Sequence, residues 1–525
     1  MIKIDIEDRS VTQLLRRVVE RQPDKPFLTC AGSRWSYGQF NAHANSFAHY
    51  LGGLGCERGS RVAIMLRNSP EFLISWFGAV KANIVYVPIN SDYRGHILKH
   101  QLFIAQVSAI VIDAAYLDRL QAVAHELPLL KSIIVVGETQ VNNFEGIAVV
   151  NYDDFKAASS NEPDVMAHYT DNFAISYTSG TTGPSKGALA SHCQVVTFAM
   201  DWVSLMEYQP TDRLFTGMPL FHALGAWLGV LPTLLVGAEA LIVERFSASK
   251  FWTDSAEFGA TLGHTIFSIP PILMKQPSSP TDRKHKLRKL YTAQRNKAFE
   301  ERFNCEIAEI YGQSETGVVT GCWPGTAYRP GSAGKVNTEN FDVRIVDDFD
   351  NEVPTGEAGE VVIRPKKPYA MMLEYYNMPR ETLSAYRNLW FHSGDSGRID
   401  EAGYFFFTDR KKDALRKGGE NISSFELERV VFDHPSVLDC AAIAVPSDLA
   451  DDEVKLVVVL REGATEEPHD LWRFCEQHMP RFWVPRFIEY RKELPRTPTQ
   501  KIEKYKLRAG VDAGIVYDRQ KHTKT

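Results

Sequence analysis

None of the seven cysteines (Cys30, Cys56, Cys193, Cys305, Cys322, Cys440 and Cys475) lies in a C-x-x-C spacing. Scattered thiols argue against a zinc site or a disulfide framework and for a reducing compartment, so a cytoplasmic location is expected. The chain also lacks an excess of positive charge. Its 59 Lys and Arg face 65 Asp and Glu, a net charge of −6, which excludes an overall electrostatic footprint for nucleic acid. It has no apolar run suited to a membrane span. The longest, 226 to 243, is interrupted by Pro232, Gly237 and Glu239 and reads as a buried helix, turn and strand. Residues 1 to 9 carry acidic side chains and no apolar core, so no signal peptide is expected there. Lys521-His522-Thr523-Lys524-Thr525 is not a peroxisomal address. The sequence holds no internal repeat, low-complexity tract or carrier-protein module.

What is there is a soluble-type composition, 44% hydrophobic and 24% charged, spread over 525 residues. That length calls for two or more domains. Short apolar strands alternate with amphipathic helices through much of the first four hundred residues. Ser60 to Leu66, Ile84 to Pro88, Ala109 to Asp113 and Ser132 to Val136 read as strands, and Pro70 to Ala82 as a helix with Phe72, Leu73, Trp76, Phe77 and Val80 on one face. Such alternation implies parallel βαβ units, whose ligands sit at the carboxyl ends of the strands. After about residue 330 the pattern turns β-rich, with Phe341 to Val346 and Gly359 to Ile363 as antiparallel strands of a small barrel-like subdomain. Helices and strands then resume over Ser424 to Phe432, Ala441 to Val445, Val454 to Leu460 and Leu471 to His478. The expected fold class is α/β: a large N-terminal domain (1–409) of parallel βαβ sheets with the β-barrel-like subdomain, a hinge (410–413), and a small mobile α+β C-terminal domain (414–525).

The most informative stretch is Tyr177-Thr178-Ser179-Gly180-Thr181-Thr182-Gly183-Pro184-Ser185-Lys186-Gly187, which follows the apolar strand Phe173 to Tyr177. Glycines let backbone approach a ligand, successive amides can form an anion nest, hydroxyls add donors, and Lys186 adds a mobile charge suited to phosphate. It is not a Walker A loop, because Ser185 precedes Lys186 and Gly187 follows it.

This loop closely resembles the signature phosphate loop of the adenylate-forming superfamily, which contains acyl-CoA synthetases, adenylation domains and beetle luciferases. Further segments resemble that superfamily in the same order: Gly217-Met218-Pro219-Leu220-Phe221-His222, Tyr311-Gly312-Gln313-Ser314-Glu315-Thr316-Gly317, Gly331 to Lys335, Trp390 to Asp395, Phe407 to Asp413, and Pro498-Thr499-Gln500-Lys501-Ile502. The resemblance runs from Trp35 to Arg508, and over Asp409 to Glu428 and Trp472 to Arg508 it is greatest to crotonobetaine/carnitine-CoA ligases.

The resemblance implies ATP, Mg2+ and CoA, and a small carboxylic acid as the molecule activated. It implies that Thr178, Ser179, Gly180, Thr181, Thr182 and Lys186 clasp the β- and γ-phosphates, and that Thr316 bonds the α-phosphate. Glu315 becomes the Mg2+ ligand, Tyr311 stacks on adenine, Asp395 accepts the ribose hydroxyls and Arg410 donates to one of them. Lys501 bridges the acid and the α-phosphate, Lys412 is the hinge, and Gly418 and Gly419 admit the pantetheine arm. His222 either gates the acyl pocket or is a satisfied core histidine, and Trp227 is expected to shorten that pocket. The run Arg283 to Lys289 reads as a solvated surface.

Two departures stand out: Gln500 replaces the usual glycine before the lysine, and Tyr291-Thr292-Ala293-Gln294-Arg295-Asn296 lacks the usual Gly-Gly turn. Phe221 to Trp227 carries no aspartate to hold a substrate ammonium, which disfavours amino acids. The expected activity is an acyl-CoA synthetase, an acid–thiol ligase. Transfer to an amine or a carrier-protein thiol, or an inactive nucleotide-binding relative, stay open from sequence.

Overall fold

The computed structural model describes residues 3–141, 143–144, 146–178, 184–265, 269–292, 295–410, 415–417, 420–422, 424–447, 452–495, 502, 504–509 and 516–522. Contact density divides the chain into two compact units, one of residues 1–91, 102–177 and 187–409, the other of residues 92–101, 178–186 and 410–525.

Two large sheets form the first unit. In one, the strands Val85–Pro88, Arg61–Met65, Ala109–Asp113, Ser132–Val136 and Ile147–Asn151 run parallel in that order. Asn172–Thr178 joins beside Val85–Pro88, again parallel, with Tyr86 opposite Ala174. At one border Lys186–Ser191 stands between Asn172–Thr178 and Glu374–Tyr375 and pairs antiparallel with the latter; at the other, Asn143–Phe144 pairs antiparallel with Ile147–Asn151. The second sheet has the order Glu306–Ala308, Lys289–Tyr291, Leu262–His264, Arg213–Thr216, Glu239–Ile242, Pro26–Cys30, Ser33–Ser36, antiparallel only at the last pair. The strand-to-helix alternation in the sequence therefore becomes the expected parallel architecture.

Helices join these sheets through one apolar core. Phe27 and Cys30 from one sheet, Val62 and Ile64 from the other, and Phe47, Trp76 and Trp202 from helices all belong to it and are fully buried. Each of these helices starts where a serine side chain takes an orphan amide. Ser36 forms a reciprocal capping box with Gln39 ahead of Tyr37–Gly53. Ser69 accepts from Phe72 N–H at 3.2 Å ahead of Pro70–Lys81, with Pro70 at the first helical position. Ser191 accepts from Gln194 N–H at 3.1 Å ahead of His192–Met206. Each such cap contributes about 1 kcal/mol.

The β-rich part belongs to the same unit. Ile310–Gln313, Gly317–Gly321 and Lys335–Val336 form a three-stranded antiparallel sheet. Phe341–Val346, Gly359–Pro365, Phe391–Ile399 and Phe405–Arg410 form a four-stranded one. A bridge between Lys335 and Tyr404 links the two.

In the second unit, Val437–Pro446, Asp452–Leu460, Phe487–Tyr490 and Val516–Asp518 make a mixed sheet. The helices Ser424–Phe432 and Pro468–His478 supply Leu427, Val431, Leu471 and Cys475 to its core. Among the described residues, no helix is long and apolar enough to cross a membrane.

Two local readings gain detail. Trp227 is 1% exposed, donates to Tyr86 Oη at 2.5 Å and packs edge-on to Phe173. It sits in the turn Ala226–Val230 that leads into the helix Leu231–Val236, and the core claims its indole. The run Arg283 to Lys289 is only partly surface. Leu287 and Lys289 are buried, and Lys289 opens the strand Lys289–Tyr291 while its ammonium meets Glu207 at 2.6 Å. An apolar residue and a strand register outweigh the charge of the surrounding sequence.

Candidate active site

The tight hairpin between Ile310–Gln313 and Gly317–Gly321 organises the site. A Cβ on Gly312 would lie 2.0 Å from the Gly317 carbonyl oxygen, so only glycine allows the two strands this close. Ser314, Glu315 and Thr316 form its tip. Thr316, fully buried, accepts the Gln313 N–H at 3.2 Å and donates to the Gly317 carbonyl at 3.3 Å. Two distant residues hold the tip from outside. Gln194 Nε2 donates to the Ser314 and Glu315 carbonyls at 2.9 and 3.3 Å, and Met372 N–H donates to the Glu315 carbonyl at 2.8 Å.

The Glu315 carboxylate is 6% exposed and accepts the Tyr375 hydroxyl at 3.1 Å. Burial and then the Glu315 charge push the Tyr375 phenol far above its ordinary value, so it stays a donor.

Asp395, on the strand Phe391–Ile399, is 4% exposed. Its Oδ2 accepts both the Tyr311 hydroxyl at 3.1 Å and Gln313 Nε2 at 2.6 Å. Gln313 Nε2 also reaches the Ser393 carbonyl at 3.0 Å. The Tyr311 ring lies against Phe405, with centroids 4.7 Å apart at 38°, and near Phe407 at 6.1 Å. Sequence positions 311, 315, 316 and 395 thus come together in one corner of the β-rich part.

Gln313, Gln194 and Tyr375 were not among the sequence-derived site residues. Gln313 had a signal, since residues two apart on a strand share a face and Tyr311 was already marked. Gln194 and Tyr375 carried none, because their partners lie more than a hundred and about sixty residues away in sequence.

The phosphate-type loop leaves the central strand Asn172–Thr178 at its carboxyl end and returns as Lys186–Ser191. Ser179, Gly180, Thr181 and Thr182 lie outside the described residues. Thr178 Oγ1 donates to the Lys186 carbonyl at 3.5 Å. Buried Ser185 accepts Gln101 Nε2 at 3.2 Å. His222 sits in a turn where its N–H meets the Pro219 carbonyl at 3.1 Å and its ring packs on Phe221 at 5.0 Å. Nearby, at the carboxyl ends of the second sheet's strands, a cleft is lined by Gly217, Met218, Arg245, Phe246, Ser247 and His264. Burial takes His264 down to about 3, and its neutral Nε2 accepts Trp202 Nε1 at 3.1 Å.

Arg410 ends the strand Phe405–Arg410, with its side chain outside the described set; Lys412, Gly418, Gly419 and Lys501 also lie outside the described residues. In the sequence flanking position 501, several other basic residues are engaged. Lys504 meets Glu428 at 2.6 Å and Ser424 at 2.7 Å, Arg491 meets Glu489 at 2.5 Å, and Arg486 meets Asp518 at 3.3 Å.

The profile of the AMP-binding enzyme family matches residues 15–376, and that of the AMP-binding enzyme C-terminal domain matches residues 426–501. The chain belongs to the AMP-binding enzyme family. This AMP-binding enzyme is 33% identical over 497 residues to a crotonobetaine/carnitine–CoA ligase of Salmonella paratyphi B, covering 92% of this chain and 95% of the relative. Among solved structures it is similar to the anthranilate CoA ligase AuaEII in complex with anthranoyl-AMP, with a TM-score of 0.71, 25% identity and coverage of 96% and 98%. The fold also matches the amide bond synthetase McbA of Marinactinospora thermotolerans, with a TM-score of 0.81, 24% identity and coverage of 94% and 99%. The expected family, fold class and AMP-forming ligase chemistry agree with these findings.

Proposed function

We propose that the protein activates a carboxylic acid with ATP and passes the acyl group to CoA. The observation that carries this reading is the corner in which Tyr311 and Gln313 aim one buried carboxylate, Asp395, beside the Glu315–Thr316 tip of the same hairpin.

A carboxylate is a poor acyl donor because oxide would have to leave. In the first step its oxygen attacks the α-phosphorus, the bond from that phosphorus to the β-phosphate bridging oxygen breaks, and acyl-AMP and pyrophosphate form. In the second, the CoA sulfur attacks the acyl carbon, the thiol proton passes to solvent, and AMP leaves. Both steps need positioning and fixed charge more than covalent help from the protein.

Asp395 accepts the ribose hydroxyls, Arg410 donates to one of them, and Tyr311 lies against adenine. Thr316 donates to the α-phosphate. Thr178, the Ser179-Gly180-Thr181-Thr182 run and Lys186 hold the β- and γ-phosphates. Lys501 draws the acid and the α-phosphate together, and the engagement of Lys504, Arg491 and Arg486 by carboxylates supports choosing it among its basic neighbours. Lys412 is the hinge, Gly418 and Gly419 pass the pantetheine arm, and His222 borders the acyl group. The buried Glu315 carboxylate, aimed by the neutral Tyr375 hydroxyl, is a hard oxygen ligand that fits Mg2+. Mg2+ held there would neutralise charge on the triphosphate.

The test is product analysis over a panel of acids headed by crotonobetaine and carnitine, the acids named for the curated relatives. Acyl-CoA and AMP in equal amounts are expected. An acylated amine, or consumption of acid and ATP to a released product without CoA, would move the acceptor elsewhere.

A further inference from the structure

A second buried acid stands behind the Asp395 turn, and the reaction scheme gives it no task. Glu360, on the strand Gly359–Pro365, is 6% exposed. Its Oε1 accepts the N–H of Gly394, the residue just before Asp395, at 3.2 Å. Its Oε2 lies 3.3 Å from His392 Nδ1 and 3.7 Å from the Arg387 guanidinium. A buried carboxylate costs several kcal/mol unless charges and donors compensate it, so this group is kept at an expense that apolar packing would avoid.

The contact falls at the point that decides where Asp395 points. Gly394 has φ +72°, a left-handed conformation, and a Cβ there would meet no atom within 4 Å. The demand on this residue is therefore conformational and not spatial. The pairing of Gly359–Pro365 with Phe391–Ile399 shifts register between Glu360 and Val362, so the strand bulges around the turn. A bulge re-aims the side chains beside it. Ser393 Oγ secures the other side, accepting the Asp395 N–H at 3.1 Å and donating to the Val361 carbonyl at 2.7 Å. The Glu360–Val361 segment thus holds the turn both directly and through Ser393.

We propose that Glu360 is a positioning residue for ribose recognition: its carboxylate takes the Gly394 N–H and so sets the turn that aims Asp395 at the ribose hydroxyls. The inference rests on the ribose reading of Asp395. Removing the acceptor leaves Asp395 chemically intact but misdirected, so selectivity for the ribose should fall more than the stability of the fold.

The test uses the full-length protein. Its affinities for ATP, 2′-deoxyATP and 3′-deoxyATP are measured by calorimetry, with thermal unfolding alongside, for the wild type and for Glu360→Ala, Glu360→Gln, Gly394→Ala and Asp395→Ala. Wild type should prefer ATP and Asp395→Ala should lose that preference. Glu360→Ala should reduce it about fivefold, the effect of one hydrogen bond. Glu360→Gln keeps an oxygen for the Gly394 N–H and should restore most of it, while Gly394→Ala strains the same turn and should reduce it. Full preference in Glu360→Ala with loss in Asp395→Ala overturns the role of Glu360 alone. Full preference in Asp395→Ala overturns the ribose reading and this inference with it. Should Glu360→Ala fail to fold, Gly394→Ala decides, and undiminished preference there overturns the proposal.

Discussion

Among the described residues, the acids of the hairpin corner and those of the second unit have different partners. Asp395 and Glu315 take hydrogen bonds from neutral groups, the Tyr311 and Tyr375 hydroxyls and the Gln313 amide. In the second unit, carboxylates meet cations: Lys455 and Glu489 at 2.7 Å with side chains 2% and 1% exposed, Lys504 and Glu428 at 2.6 Å, and Lys417 and Glu453 at 2.7 Å. A neutral donor aims a carboxylate without cancelling its charge, whereas an ion pair consumes the charge in building the scaffold. The first arrangement suits a site that reads hydroxyls or a cation. The second suits a domain that must hold its shape, and under the proposed function it also offers Lys501 to chemistry.

The largest effect expected from this contrast is at that lysine. Lys501→Ala should cut acid-dependent adenylation by about a thousandfold, the scale of losing one fixed charge at a developing anion. Thioester formation from preformed acyl-AMP should stay near wild type. Equal loss of both half-reactions, measured separately, would merge the two regions into one function and break the contrast.

Next comes the scaffold side. Lys504→Met removes the cation from Glu428, whose carboxyl is already raised by burial. Denaturant unfolding should show a loss of about 3 kcal/mol, part of it recovered by adding Glu428→Gln. No loss in the single variant would mean that the pair is not structural.

A smaller effect is expected at the neutral donors. Tyr375→Phe should leave folding unchanged and raise the Mg2+ concentration for half-maximal activity about tenfold, because the orienting bond to Glu315 is gone. An unchanged Mg2+ titration would show that Glu315 needs no aiming.

A last one concerns Asp201, a half-buried acid in the helix that also carries Gln194. Burial pushes its carboxyl up to about 7 from an ordinary 3.8, and Asn340 Nδ2 donates to it at 2.7 Å. The folded state therefore keeps a proton that the unfolded state releases between 3.8 and about 7, so stability falls as pH rises through that window. Asp201→Asn should flatten most of that fall. An equally steep profile in the variant would place the titration elsewhere.

Much of the first unit was legible because its strands are short, apolar and regularly spaced. Ala109–Asp113, Ser132–Val136 and Phe341–Val346 coincide with their sequence-derived bounds. The helix Ser424–Phe432 does too, but Val437–Pro446 begins four residues before the apolar stretch that announced it. Pairing with Asp452–Leu460 extends that strand through Leu438 and Asp439, which carry no strand signal of their own.

At the site, Tyr311, Glu315, Thr316 and Asp395 were legible as motifs. The residues that aim them were not. Gln194, Tyr375 and Glu360 act through contacts that exist only after strands and helices far apart in sequence have packed. The burial of Trp227 and its bond to Tyr86, 141 residues away, were hidden for the same reason.

The most direct measurement of the central claim is exchange of labelled pyrophosphate into ATP in the absence of CoA. The account expects exchange that requires a carboxylic acid and stops in Lys501→Ala. Exchange with no acid present, or none with any acid while ATP is cut to ADP and phosphate, would contradict it.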